Sequence, residues 1–167
     1  MAVSTDSIKV LREKCGAGVI ECRNVLLETS GDIDKALCIL KERGFAKAAK
    51  KAERVTKQGL VEAYVHAGGR IGAIIELNCE SDFVARTAEF KELAHNIAMQ
   101  VAAMSPTYIT AEEVAPGTDV VLETDCLLRQ PYIRDPNVTI NDIIVALIAR
   151  VGENIRVSRI ARFELGK

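Results

Sequence analysis

The hydrophobic period of this chain changes once, near Gly59, and that change divides it into two kinds of structure. Before Gly59 the apolar residues recur at helical spacing, and after it they alternate. Ser4-Thr5-Asp6 offers N-cap side chains, and Ile8, Leu11 and Cys15 then fall on one helix face. Gly16-Ala17-Gly18 interrupts the run. A second stripe carries Cys22, Val25 and Leu26 and ends at Ser30-Gly31. Asp32 is placed to cap a third helix with Ile33, Ala36, Leu37 and Leu40 inward, and Gly44 reads as its stop. The spacing predicts a three-helix module over residues 1–45. Residues 46–57 are rich in Lys and Ala and read as a basic helical connector, with Lys47, Lys50, Lys51, Arg54 and Lys57 on one face.

Beyond Gly59, Val61, Ala63 and Val65 alternate with Glu62, Tyr64 and His66, and Gly68-Gly69 signals a hairpin turn. The return strand carries Ile71, Ala73, Ile75 and Leu77 on one face and ends at Asn78-Cys79-Glu80. After Ser81-Asp82-Phe83-Val84 comes a helix with the stripe Phe90, Leu93, Ala94, Ile97, Val101 and Met104. In residues 105–137, Thr110-Ala111-Glu112-Glu113 can open a helical turn. Val120-Val121-Leu122 and Cys126-Leu127-Leu128 can form strand, while Gln130-Pro131 and Asp135-Pro136 break the chain. Thr139 or Asn141 can cap a last helix with Ile143, Ile144, Leu147, Ile148 and Val151 inward. Gly152 closes it, and residues 155–163 read as a final strand. Residues 58–167 therefore read as an α+β core domain with an antiparallel sheet and packed helices.

The chain is 49% hydrophobic and 27% charged, an ordinary globular balance with enough apolar content for a core. Only 4% is aromatic and there is no Trp, which argues against a stacking platform for single-stranded nucleic acid. Charge is uneven: residues 1–58 carry 12 Lys and Arg against 8 Asp and Glu, and residues 59–167 carry 10 against 15. The basic face at 47–57 reads as a connector rather than an RNA or DNA contact. It has few charges, no interleaved aromatics and acidic flanks. No apolar run approaches the ~20 residues of a membrane span. The start, Met1-Ala2-Val3-Ser4-Thr5-Asp6, lacks a basic region followed by an apolar one, so the chain reads as cytoplasmic.

Five cysteines, Cys15, Cys22, Cys38, Cys79 and Cys126, include no close pair of the C-x-x-C type. Cys22, Cys38 and Cys79 sit on apolar faces and read as small buried hydrophobes, so neither a disulfide framework nor a metal site is expected. His66 and His95 belong to no recognisable nucleophile–base pattern, and no phosphate-binding glycine loop appears. The expectation is a binding protein without covalent chemistry, cofactor or metal. Two features suit binding. Val19 and Ile20 follow flexible glycines and can serve either as core staples or as a partner contact. Phe83 follows the polar corner Glu80-Ser81-Asp82 and can be either a staple on its own core or an exposed wedge for a partner's pocket.

Asn78-Cys79-Glu80-Ser81-Asp82-Phe83-Val84-Ala85-Arg86 resembles the signature of bacterial elongation factor Ts, which usually reads Thr-Asp-Phe-Val; Ser81 keeps the hydroxyl. Ile8 to Arg12 with Gly16-Ala17-Gly18 and Cys22 resembles that family's ubiquitin-associated-like N-terminal module. Gln130-Pro131-Tyr132-Ile133-Arg134-Asp135-Pro136, Gly152-Glu153-Asn154-Ile155 and Arg162-Phe163-Glu164-Leu165-Gly166 match further on, in order. The resemblance implies a guanine-nucleotide exchange factor that binds elongation factor Tu in its GDP-bound and nucleotide-free states. Ser81, Asp82, Phe83 and Val84 would form the corner set against the nucleotide domain, with Phe83 wedging near the magnesium and phosphate site. Leu11, Arg12, Val19 and Ile20 would form the N-terminal contact. The stretch Val114-Ala115-Pro116-Gly117-Thr118-Asp119 is short where the family usually has a helical insertion, and such short forms pair through their sheets, so a homodimer is expected. No membrane and no direct nucleic-acid contact are implied.

Overall fold

The computed structural model describes residues 3–167; Met1 and Ala2, the first residues of the expected N-terminal module, lie outside the described residues. The chain is α+β and divides into two compact units, one of residues 1–53 with 145–152, the other of 54–144 with 153–167.

In the first unit, helix α1 (Thr5–Cys15) starts where Ser4 Oγ accepts from the Ser7 N–H at 3.1 Å, and it ends at Gly16 in the left-handed region. Helix α2 (Val19–Glu28) follows. Helix α3 (Ile33–Ala49) is capped by Asp32, whose carboxylate accepts from the Lys35 N–H at 3.0 Å. Leu11, Cys22, Val25, Leu26, Ala36 and Leu40 form the buried core, with Ile8, Cys15, Ile33 and Leu37 packed around it. All six, Leu40 included, are residues that spacing alone places inward.

Three expectations fail here. Gly44 does not stop α3. It keeps a helical conformation and is buried, with the position of a Cβ only 3.6 Å from Val145 Cγ1. A mid-helix Gly costs about 1 kcal/mol relative to Ala, and packing on residues 145–149 offsets that cost. The separate connecting helix is likewise absent: α3 ends at Ala49, turns occupy 50–53, and Val55 to Lys57 are not helical. The five basic residues therefore do not share one helix face, and Lys47 and Arg54 are paired with Glu21 and Glu80. Cys38, expected inside, is exposed.

In the second unit, strands β1 (Gln58–Val65), β2 (Ile71–Cys79) and β5 (Ile155–Glu164) form an antiparallel sheet in the order β1-β2-β5. The hairpin turn uses Gly68 and Gly69, both at positive φ. Ala73, Ile75, Leu77 and Cys79 are buried on the inner face, over which helix α5 (Ala88–Met104) packs Phe90, Leu93, Ala94, Ile97 and Val101. Between Glu76 and Leu77 the register with β5 shifts, leaving Ser158 as the extra residue of a bulge; its hydroxyl bonds Asn78 Oδ1.

The outer face of this sheet is apolar at the hairpin end and charged beyond it, where Glu76 and Arg159, in the same row as Val61, pair at 2.6 Å. Val65, Gly72 and Phe163 form one cross-strand row, and Ala63, Ile74 and Ala161 the next; Val61, Val65, Ile74 and Phe163 are exposed. Thus the Val61–Ala63–Val65 alternation marks the outer side of β1, not the core side.

Residues 105–137 depart from expectation. The turn at Ala111–Glu113 forms as a 3-10 helix, but 120–128 gives no strand. Helix α6 (Leu122–Asp125) and a second 3-10 turn (Leu127–Arg129) lie there instead, with one bridge from Cys126 to Tyr108. The residues expected to break the chain instead start β3 (Pro131–Tyr132) and β4 (Asp135–Thr139), a two-stranded ribbon in which proline's missing N–H is tolerated. Buried Gln100 holds this region: its amide donates to Gln130 Oε1 at 3.0 Å and to the Pro131 carbonyl at 3.1 Å, and its oxygen accepts from the Ile133 N–H at 3.0 Å. Helix α7 (Ile140–Val151) opens with a reciprocal cap between Thr139 and Asp142 and ends at Gly152, at positive φ. Among the described residues no helix is long and apolar enough to cross a membrane.

Candidate functional site

Strand β2 ends at Cys79, and the chain turns through Glu80 and Ser81 into the four-residue helix α4 (Asp82–Ala85). Ser81 is its N-cap, in an extended conformation, with Oγ accepting from the Val84 N–H at 3.4 Å. Two residues later Thr87 closes the turn, donating its hydroxyl to the Val84 carbonyl at 2.8 Å and accepting from the Phe90 N–H as the cap of α5. Val84 and Ala85 are buried and anchor the corner to its own core.

Phe83 points the other way. Its side chain is 81% exposed, the most open large apolar residue among the described residues. Of the two readings of its sequence position, the core staple is therefore excluded. Asp82 lies beside it and pairs with Arg86 at 2.9 Å, one helical turn on, in an exposed and weakly stabilising bridge.

The corner is held from behind by the turn after α7. The Ser81 N–H donates to Glu153 Oε2 at 2.9 Å and the Ser81 hydroxyl to Glu153 Oε1 at 2.5 Å. Reciprocally, the Asn154 N–H donates to Glu80 Oε1 at 2.6 Å, and the Asn154 amide donates to the Arg54 carbonyl at 3.0 Å. The Cys79 thiol donates to the Ser81 carbonyl at 3.1 Å. Burial, and then the Glu153 carboxylate, pushes that thiol up to about 11, so it stays neutral and serves as a hydrogen-bond donor, not a nucleophile.

In the first unit the remaining candidates separate. Val19 and Ile20 open α2 with Ile20 75% exposed, and Arg12 is exposed on α1. Leu11, expected in the same contact, is instead wholly buried against Cys22, Val25 and Leu26; it holds the helices together and offers no surface. A helix stripe and a contact residue look alike in sequence, and here core packing takes Leu11. Beside it, Cys15 and Cys22 place their sulfurs 3.9 Å apart.

Chemically, the corner presents a rigid apolar wedge flanked by a carboxylate. It suits insertion into another protein. The sequence does not single out Glu153, nor which face of the sheet is left open. Glu153 appeared only within a four-residue match, and its partner Ser81 is 72 positions away.

Comparison with known proteins supplies the context. The family model described as Elongation factor TS matches residues 46–120. Elongation factor Ts of Thermotoga neapolitana is 47% identical, covering 100% of this chain and 99% of that protein. The elongation factor Ts proteins of Fervidobacterium nodosum and Caldanaerobacter subterraneus are each 45% identical, the first covering 100% of both chains and the second 99% of this chain and 98% of its own. The Fervidobacterium alignment runs over 197 positions against the 167 residues here, so that relative carries residues with no counterpart in this chain. With identity at this level over its whole length, and with the Ser81-Asp82-Phe83-Val84 corner in place, the chain belongs to the elongation factor Ts family.

Proposed function

We propose that this chain is the guanine-nucleotide exchange factor for elongation factor Tu. It binds the GDP form, places Phe83 between elements of the nucleotide domain near the magnesium and phosphate site, and releases GDP to leave a nucleotide-free complex. The observation that carries this reading is Phe83, a large aromatic side chain 81% exposed on a corner fastened to its own domain. Exposed, rigid aromatics are costly on a solvated surface and are typical anchors of protein contacts. Asp82 contributes its carboxylate, Ser81 sets the corner and Val84 anchors it. Arg12, Val19 and Ile20 form a second contact, with Leu11 supporting them from beneath.

The physics is linkage. A factor that weakens GDP binding is itself weakened by GDP to the same extent, so exchange needs no bond to be made or broken. The test is stopped-flow release of fluorescent GDP from elongation factor Tu at micromolar factor. A rate equal to the spontaneous one refutes the proposal.

The outer sheet face supports a homodimer. Val61, Val65, Ile74 and Phe163 are exposed apolar side chains on the sheet face that α5 does not cover. A second copy packing face to face would cover it. Sedimentation at tens of micromolar resolves this: a particle of 18.2 kDa refutes the dimer.

A further inference from the structure

We infer that Glu153 is the positioning residue of the Phe83 corner: both oxygens of one carboxylate, arriving from the far end of the second unit's sequence, grip the N-cap residue of α4 and fix the direction in which Phe83 leaves the surface. The inference rests on the exchange function proposed above.

The corner cannot hold itself. Helix α4 has four residues, too few to offset the cost of helix nucleation. Its own bonds are long: Ala85 N–H to the Ser81 carbonyl at 3.3 Å, and Arg86 N–H to the Asp82 carbonyl at 3.2 Å. The cap from Val84 N–H to Ser81 Oγ is also long, at 3.4 Å. The bonds from Ser81 to Glu153 are shorter, at 2.9 and 2.5 Å, and charge-assisted. Ser81 has one hydroxyl proton, and Glu153 takes it. That sets the hydroxyl's lone pairs toward the Val84 N–H, so the carboxylate orients the cap as well as the backbone. The Asn154 N–H bond to Glu80 ties the same two segments in the opposite sense.

A preformed corner lowers the ordering cost of binding, which is where Glu153 enters exchange. Gln at position 153 keeps the shape but offers one acceptor oxygen where two are used. Glu153→Gln is therefore expected to speed hydrogen exchange of the Ser81 amide at least about tenfold, with the Ile75 and Leu77 amides of β2 unchanged. It is expected to lower the acceleration of GDP release from elongation factor Tu by about tenfold at sub-saturating factor. In a Phe83→Ala background the same change should cost less than about twofold, because the side chain it aims is gone.

Wild-type exchange at Ser81 in Glu153→Gln overturns the inference. So does acceleration that spreads through β2, or a full-sized loss of GDP release in the Phe83→Ala background. If the unaltered protein fails to accelerate GDP release, the exchange function falls, and the Ser81 amide alone decides whether Glu153 holds the corner.

Discussion

Phe83 and Phe90 lie seven residues apart on adjoining helices, one 81% exposed and the other fully buried. Truncating each to Ala separates two kinds of energy. Phe83→Ala removes almost no intramolecular contact, so its unfolding free energy should stay within about 0.5 kcal/mol of the parent. Phe90→Ala opens a cavity under the sheet and should cost about 3–5 kcal/mol. Against elongation factor Tu the order reverses. Burying a Phe side chain contributes about 1.5–3 kcal/mol, and nearly all of that area is still available for a partner at Phe83. If it is spent in the exchange complex, Phe83→Ala should slow stimulated GDP release by about 10- to 150-fold at sub-saturating factor. Urea unfolding followed by circular dichroism gives the first number, and stopped-flow release of fluorescent GDP the second. A Phe83→Ala protein that stimulates release within threefold of the parent refutes the wedge. One that unfolds like Phe90→Ala refutes the reading of Phe83 as external.

Gly59→Ala should lose about 2–3 kcal/mol in thermal unfolding, because its φ is +145° and a Cβ there would lie 2.1 Å from the Leu77 carbonyl oxygen. Gly72→Ala in the partner strand, whose nearest neighbour would be at 3.6 Å, should be tolerated. Gln100→Leu strands the Ile133 N–H, Gln130 Oε1 and the Pro131 carbonyl, and should cost about 2–4 kcal/mol in urea with the slope unchanged. The Asp32 carboxyl is held below its ordinary 3.8, first by the Lys35 backbone N–H and then by the Lys35 side chain. Its folded value is depressed, so the stability it contributes is present above 3.8 and is lost as pH falls through the folded value. The melting-temperature gap between the parent and Asp32→Ala should therefore narrow in that acid range, and a constant gap refutes the charge assignment.

Much of the fold is legible because its signals are local. Ser4 and Asp32 cap the helices for which their side chains are suited, Gly68-Gly69 turns the hairpin, and the stripe from Phe90 to Val101 is the one that packs on the sheet. What escapes sequence reading depends on neighbours distant in the chain. Gly44 looks like a helix stop until Val145 and Ala149 are seen against it. The segment 120–128 has strand-like composition but forms helical turns, which lie under the Gln100–Gln130 network. The alternation of Val61, Ala63 and Val65 is visible, but which side faces out is settled by α5 covering the other. At the site, the motif points to Phe83, whereas only the fold supplies its exposure and the carboxylate behind it.

The bonds between Ser81 and Glu153 also set a timetable. Chain synthesis is vectorial, and the two residues are 72 positions apart. At about 5–20 residues per second the second follows the first by roughly 4–14 s. During that interval a growing chain already carries the residues of β1, β2 and Phe83, while the two donors of Ser81 lack the carboxylate they bond in the finished fold. The corner is thus among the last parts of the molecule to be finished, and a chain interrupted before residue 153 would display the aromatic side chain without the carboxylate that aims it.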